Sequence, residues 1–193
     1  MSQRLVIRLI PIQIFLVCLL AGWAAIGTIR ILINNSNLPS AAETAVAGAA
    51  GTLRSGASAS GGAGHLSAVF TPEVQHWADK LVSWSAVFNL DPNLAATVMQ
   101  IESCGAPSVV SGSGAQGLFQ VMPFHFAAGE DTLDPDTNAA RGLAYLALGL
   151  ARASGNAGLA LAGYNGGHTM IGLDSSLWPA QTQRYWYWGT GIY

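Results

Sequence analysis

Apolar and polar positions divide this chain into three regimes. From Leu9 to Ile29 runs an uncharged stretch of 21 residues, which Leu5–Ile7 and Ile31–Ile33 extend beyond flanking arginines. About 20 apolar residues cross a bilayer as a helix, whereas the apolar region of a secretory signal peptide runs to only about 7–15. Length therefore favours an uncleaved transmembrane anchor over residues 1–33; Ser40-Ala41-Ala42 offers a cleavage site to the alternative, a signal sequence. Residues 34–69 are mostly Ala, Ser and Gly, with Ser55-Gly56-Ala57-Ser58-Ala59-Ser60-Gly61-Gly62 at the centre. Such a segment buries too little apolar surface to offset the entropy of ordering, so it predicts a flexible linker. Its root-mean-square reach is on the order of 30 Å. A short helix over Ala41–Ala50 is the alternative there.

From residue 70 to 193 the apolar residues recur at helical spacing. Thr71-Pro72-Glu73 combines a capping hydroxyl, a proline at the first helical position and an acid at the positive helix end. Val74, Trp77, Leu81, Trp84 and Phe88 follow as one buried stripe. Asp91-Pro92 starts a second helix, with Leu94, Val98 and Ile101 or Met99 facing the core. Asn138 is the expected cap of a third, which buries Leu143, Leu146 and Leu150. Ser154–Asn156 opens a fourth that runs to Tyr164, and Ala180–Tyr187 forms the last. No long alternating segment is present, so a mainly α domain is expected. Glycines 112, 114 and 117 mark a looped, hairpin-like insert between helices.

Charge narrows the function classes. Only 9% of residues are charged, against about 25% in ordinary soluble domains, and the net charge is −2. Beyond residue 71 acids outnumber Lys80, Arg141, Arg152 and Arg184, so no nucleic-acid footprint exists. His65, His76 and His168 are scattered, and no metal or cofactor is implied. His125 sits beside the glycine loop and is expected to be structural or exposed rather than catalytic. The run Gly112 to Gly117 has dinucleotide-type spacing, but no strand precedes it. Cys18 and Cys104 lie in segments of different character; no disulfide is expected, and Cys104 is taken as a small buried residue. Arg4 and Arg8 precede the apolar segment and Arg30 alone closely follows it. The positive-inside tendency then places the domain outside the cytoplasmic membrane.

The chemistry concentrates at Glu102, the last residue of the second helix. An apolar surround and the negative helix end both favour a protonated carboxyl, and a neutral carboxyl can protonate a departing sugar oxygen. Glycosidases usually pair two carboxylates across the scissile bond. Here Glu130, Asp131, Asp134 and Asp136 suit turns and caps instead, and Asp91 is a cap.

Glu102-Ser103, Ser111, Gly117-Leu118-Phe119-Gln120-Val121-Met122-Pro123, Ala162-Gly163-Tyr164-Asn165-Gly166 and Gln181-Thr182-Gln183-Arg184-Tyr185 occur in an order that resembles the lytic transglycosylases. That resemblance, to soluble-lytic-transglycosylase-like (SLT-type) and goose-type-lysozyme-like catalytic domains, covers roughly residues 70 to 187. It implies a lysozyme-like helical domain that cuts peptidoglycan between muramic acid and glucosamine, leaving 1,6-anhydromuramic ends. Glu102 would act as both acid and base, because the substrate's own 6-hydroxyl replaces a second carboxylate. Ser103 matches the serine that commonly follows the acid, and Ser111 a partner of the substrate or of Glu102. Gln120 would bind the N-acetylated sugar from the Gly117 loop, with Phe119 and Met122 lining the cleft. Tyr164, next to Asn165, would point its hydroxyl at Glu102. Gln181 stands where the family has a glutamate, four residues before Tyr185. Gly163 and Gly166 replace alanines and would loosen a strand-like turn.

Two other outcomes share this frame: a hydrolytic lysozyme of the same fold, or a non-catalytic wall-binding module. Small wall-opening enzymes of this family often serve envelope-spanning assemblies for secretion, conjugation or phage injection. The aromatic run Tyr185-Trp186-Tyr187-Trp188 suits the core or a membrane interface, with sugar stacking as the alternative.

Overall fold

The structure, a computed structural model, describes residues 66–193. The expected anchor and all but the end of the linker lie outside the described residues. No helix among the described residues is long and apolar enough to cross a membrane.

Among the described residues six α-helices carry the domain: α1 (Pro72–Gln75), α2 (Ala78–Val87), α3 (Pro92–Glu102), α4 (Pro135–Arg152), α5 (Ala157–Gly166) and α6 (Ala180–Ile192). Three short 3-10 turns, Pro123–His125, His168–Gly172 and Ser175–Leu177, join them.

The first expected helix is split. Trp77 leaves the helical path between α1 and α2, where its indole N–H donates to the Gly105 carbonyl at 2.9 Å. The Thr71 hydroxyl caps nothing and is buried without a partner; its backbone N–H donates to Gln100 Oε1 instead. The apolar stripe nonetheless packs inward, with Val74, Leu81 and Trp84 buried and Trp77 and Phe88 partly so.

Asp91 caps α3 as its position requires, accepting from the Asn93 N–H at 2.8 Å. Every residue from Leu94 to Ile101 is buried, so Met99 and Ile101 both face the core. α3 is the central helix, buried on every side along that span, with Thr97 and Gln100 its only polar residues there. α4 is capped by Asp134, which accepts from the Thr137 N–H; Asn138, the expected cap, sits one turn inside the helix and is fully buried. Asn156 caps α5 through the Leu159 N–H, and α6 continues to Ile192, beyond the expected end. α5 packs against both α4 and α6, while α6 also reaches α3.

The insert between α3 and α4 is looped, with isolated antiparallel bridges Val110–Gln116 and Gln116–Val121 in place of a strand. Cys104 is half-buried, with its Sγ 3.3 Å from the Gln100 carbonyl; Cys18, the chain's one other cysteine, lies outside the described residues.

Candidate active site

Glu102 ends α3 where the helix meets the insert. The residue as a whole is half-buried, yet its carboxyl is desolvated enough that burial raises its pKa to about 7. Tyr185, from α6, opposes this weakly. Its hydroxyl is buried with no hydrogen bond of ordinary length, and its attraction to the carboxylate favours the anion. Tyr164, near the end of α5, also faces the acid. Burial, then the nearby Glu102 charge, hold its own ionisation well above the usual phenol range. The Tyr164 proton is committed elsewhere, to the Phe119 carbonyl at 2.8 Å.

No other carboxylate among the described residues acts on Glu102. Asp136 pairs with Lys80 at 2.7 Å and accepts from the Trp84 indole; Glu130 takes Arg141 through both oxygens. Asp91, Asp134 and Asp174 accept backbone N–H groups at helix starts, and Asp131 serves a turn. The expectation of turns and caps holds for these acids, with ion pairs added.

The insert is built against α3 and α4 by buried polar contacts. Ser103 Oγ donates to the Leu118 carbonyl at 2.7 Å and accepts the Gly105 N–H, so it ties the helix end to the loop. Ser103 is buried, and its hydroxyl serves the loop's backbone. Ser111 Oγ accepts the Ala115 N–H at 3.0 Å and shares a hydrogen bond with Ser113, closing the loop tip. Gln120 adopts a positive φ of 45° and donates its side-chain N–H groups to the carbonyls of Val109 and Gly117. A non-glycine residue holds such a conformation only where surrounding contacts enforce it. Its amide protons are therefore spent on the loop, and Oε1 is the atom left to meet a ligand.

The Phe119 side chain, expected to line the cleft, is fully buried beside Trp84. Its backbone does the site's work, the carbonyl on Tyr164 and the N–H on Asn138 Oδ1 at 2.9 Å. Met122 stays half-buried at the loop's exit.

Asn138 is the residue that sequence reasoning misplaced. Besides accepting from Phe119, it donates to the carbonyls of Gln116 (2.7 Å) and Thr132 (2.9 Å). Thr132 Oγ1 in turn donates to Gln116 Oε1. One buried amide thus holds three backbone groups in two stretches of the loop. Gly117 has φ +74°, and a Cβ there would strike Asn138 Nδ2 at 2.4 Å, so the glycine and the asparagine require each other. On the next turn of α4, Gly142 leaves room for Phe119 and for the Tyr164 hydroxyl.

Asn165 Oδ1 accepts from Thr182 Oγ1 at 3.1 Å, joining α5 to α6. Gly163 and Gly166 lie in helix α5, not in a strand-like turn, and permit close packing rather than loosening it. A Cβ on Gly166 would meet Thr182 Oγ1 and Met170 Cγ, each at 2.6 Å. Gln181 is exposed on the first turn of α6. Beyond Tyr164 lies an aromatic row that the sequence did not single out: Tyr145 stacks on His168 at 4.1 Å and meets His125 at 5.0 Å. His125 is half-buried there, and burial lowers its pKa.

A mainly helical domain with one protonatable carboxyl at a helix end, faced by two tyrosines and bordered by a pinned glycine loop, has the build of a lysozyme-like catalytic domain. The transglycosylase SLT domain family model matches residues 81–184, more than half of the chain, and the chain belongs to that family. A curated relative, a transglycosylase of Enterobacteria phage PRD1, is 38% identical over 111 residues, covering 56% of this chain. The chain spans 40% of that relative's length. The crystal structure of an inactive mutant of lytic transglycosylase Slt from Pseudomonas aeruginosa matches 59% of this chain and 22% of its own, with a TM-score of 0.52. At 24% identity that likeness shows the fold.

Proposed function

We propose that the chain cleaves peptidoglycan glycan strands by lytic transglycosylation, at the bond between N-acetylmuramic acid and N-acetylglucosamine, with Glu102 as acid and then base. The observation that carries this is a carboxyl with a pKa of about 7 and, among the described residues, no second carboxylate acting on it. In the first half of the reaction, protonated Glu102 gives its proton to the glycosidic oxygen as the bond from that oxygen to the anomeric carbon breaks. The carboxylate so formed faces the Tyr185 hydroxyl, which has no other partner and favours the anion at the moment it appears. In the second half, the carboxylate takes the proton of the muramic acid 6-hydroxyl, whose oxygen bonds to the anomeric carbon. Glu102 ends protonated, no water is consumed, and the product carries an anhydro ring.

The remaining residues hold this centre in place. Asn138, Ser103 and Gln120 fix the loop that borders the acid, and the Gln120 carbonyl oxygen is left to accept the N–H of an acetamido group. The apolar segment over residues 9–29 and the Ala/Ser/Gly linker complete the proposal: a single-pass anchor and a tether that let the domain work the wall outside the cytoplasmic membrane. Service to a secretion, conjugation or phage-injection assembly is the setting in which such a tethered wall-opener fits.

The test is incubation of the full chain with purified peptidoglycan and mass spectrometry of the released fragments, with Glu102→Gln as control. Anhydro-muramic ends that vanish in the variant are expected. Ordinary reducing ends would make the chain a hydrolytic lysozyme. Wall binding with no release would make it a binding module.

A further inference from the structure

A cavity among the described residues lies away from Glu102. It measures about 500 Å³ and sits between the start of α5, the turn after residue 172 and the outer face of α6. Leu159, Leu173 and Trp186 give it apolar walls, while Asn156, Asp174 and Ser175 stand at its polar side. None of the residues around Glu102 lines it.

The tryptophan is presented deliberately by the fold. Trp178 is buried, its indole N–H fixed on the Met170 carbonyl at 2.9 Å, and its ring meets Trp186 edge-on at 6.1 Å. Gly158 makes the opposite wall thin: a Cβ there would press on Trp186 Nε1 at 2.9 Å. Trp186 is thereby braced on two sides while 38% of it stays open to solvent. The polar groups are half-committed. Asn156 Oδ1 caps α5 and leaves its two N–H donors; Asp174 Oδ1 accepts from Ser176 and leaves Oδ2 as an acceptor. Ser175 adds a hydroxyl that serves either way.

These features define the ligand's chemistry. An exposed indole face asks for a flat apolar surface, and the mixed donors and acceptors ask for hydroxyls or amides. The unpaired Asp174 oxygen disfavours an anion. A sugar ring has one apolar C–H face and a rim of hydroxyls. The volume lies within the range of sites for ligands of one or two such rings. We propose that this cavity is an accessory saccharide site that takes a neutral N-acetylated sugar of a glycan strand while a separate stretch of wall occupies the site at Glu102. The choice of an N-acetylated sugar rests on the substrate proposed above; the site itself does not.

The experiment is a titration of the full-length Glu102→Gln chain with chitotetraose, followed by nuclear magnetic resonance of the Trp186 indole N–H, which Trp186→Phe identifies. A saturable shift with a dissociation constant of about 1 mM is expected. Trp186→Ala should weaken binding about tenfold, read at the Gly158 and Thr190 amides, with the amides around Glu102 still responding. An unmoved Trp186 indole beside shifting amides at Glu102 would overturn the accessory site and leave the proposed function standing. A moving Trp186 indole beside silent amides at Glu102 would uphold the accessory site and count against that function. A response of Trp186 to choline but not to chitotetraose would overturn the proposal in favour of a cation site.

Discussion

At Glu102 the balance of two effects sets both chemistry and stability. Burial raises the carboxyl to about 7, above the ordinary glutamate value near 4.5, so folding binds a proton between those two pH values. Stability is full below the unfolded-state value and falls as pH rises toward the folded one. Glu102→Gln should therefore stabilise the protein by about 3 kcal/mol at pH 8 and by little at pH 4, measured by urea unfolding at the two pH values. The same variant should lose activity by about 10²–10⁴-fold, the span that a positioned general acid contributes. Wild-type activity should fall as pH rises through about 7, because the proton to be donated is then gone. Tyr185 lowers Glu102, so Tyr185→Phe should move that alkaline limb to higher pH, as a pH–rate profile of the two proteins would read. An unmoved limb would mean that the hydroxyl does not act on the acid. Glu102 itself was legible in the sequence, as an acid closing an apolar helix before a glycine loop. The duties of Ser103 and Gln120 were not. Their partners Leu118 and Val109 lie fifteen and eleven residues away, and only the closed insert decides that a polar side chain serves backbone rather than substrate.

Among the elements, the helix starts were readable where a short polar residue precedes proline, as at Asp91-Pro92 and Asp134-Pro135. Taking Asn138 as the cap missed the second of these and hid the residue that matters most to the insert. Once α4 begins at Pro135, Asn138 falls on the buried stripe that runs through Ala139, Gly142, Leu143 and Leu146. A polar residue on such a stripe must find partners, and its position was the available signal. Asn138→Ala strips the Phe119 N–H and the carbonyls of Gln116 and Thr132 of their partner. A loss of about 3 kcal/mol in chemical unfolding is expected, with faster hydrogen exchange at the Phe119 amide. Gly166→Ala reverses the intuition that glycine loosens α5. It restores the family's residue yet drives a methyl into Thr182 and Met170, so a loss of about 1–3 kcal/mol is expected in the same assay. A gain would show that α6 yields at no cost. The split between α1 and α2 was beyond sequence periodicity, because Trp77 keeps its place in the stripe while its indole follows a carbonyl 28 residues on.

Across the whole molecule, the acids that surround the site in sequence are dispersed in space. Each is taken by a lysine, an arginine, an indole, a turn or a helix start, and among the described residues no second carboxylate acts on Glu102. The aromatic run at the C-terminal helix is likewise divided by helical geometry: Tyr185 is buried toward Glu102, Trp188 packs on the core, and Trp186 opens onto a separate cavity. In the proposed reaction the attacking oxygen belongs to the substrate and not to water. Digestion of purified peptidoglycan in water enriched in heavy oxygen tests it directly. The account predicts new muramic ends that are anhydro and carry no label. Label on the anomeric carbon of the new ends, at the moment of cleavage, would contradict it and make water the nucleophile.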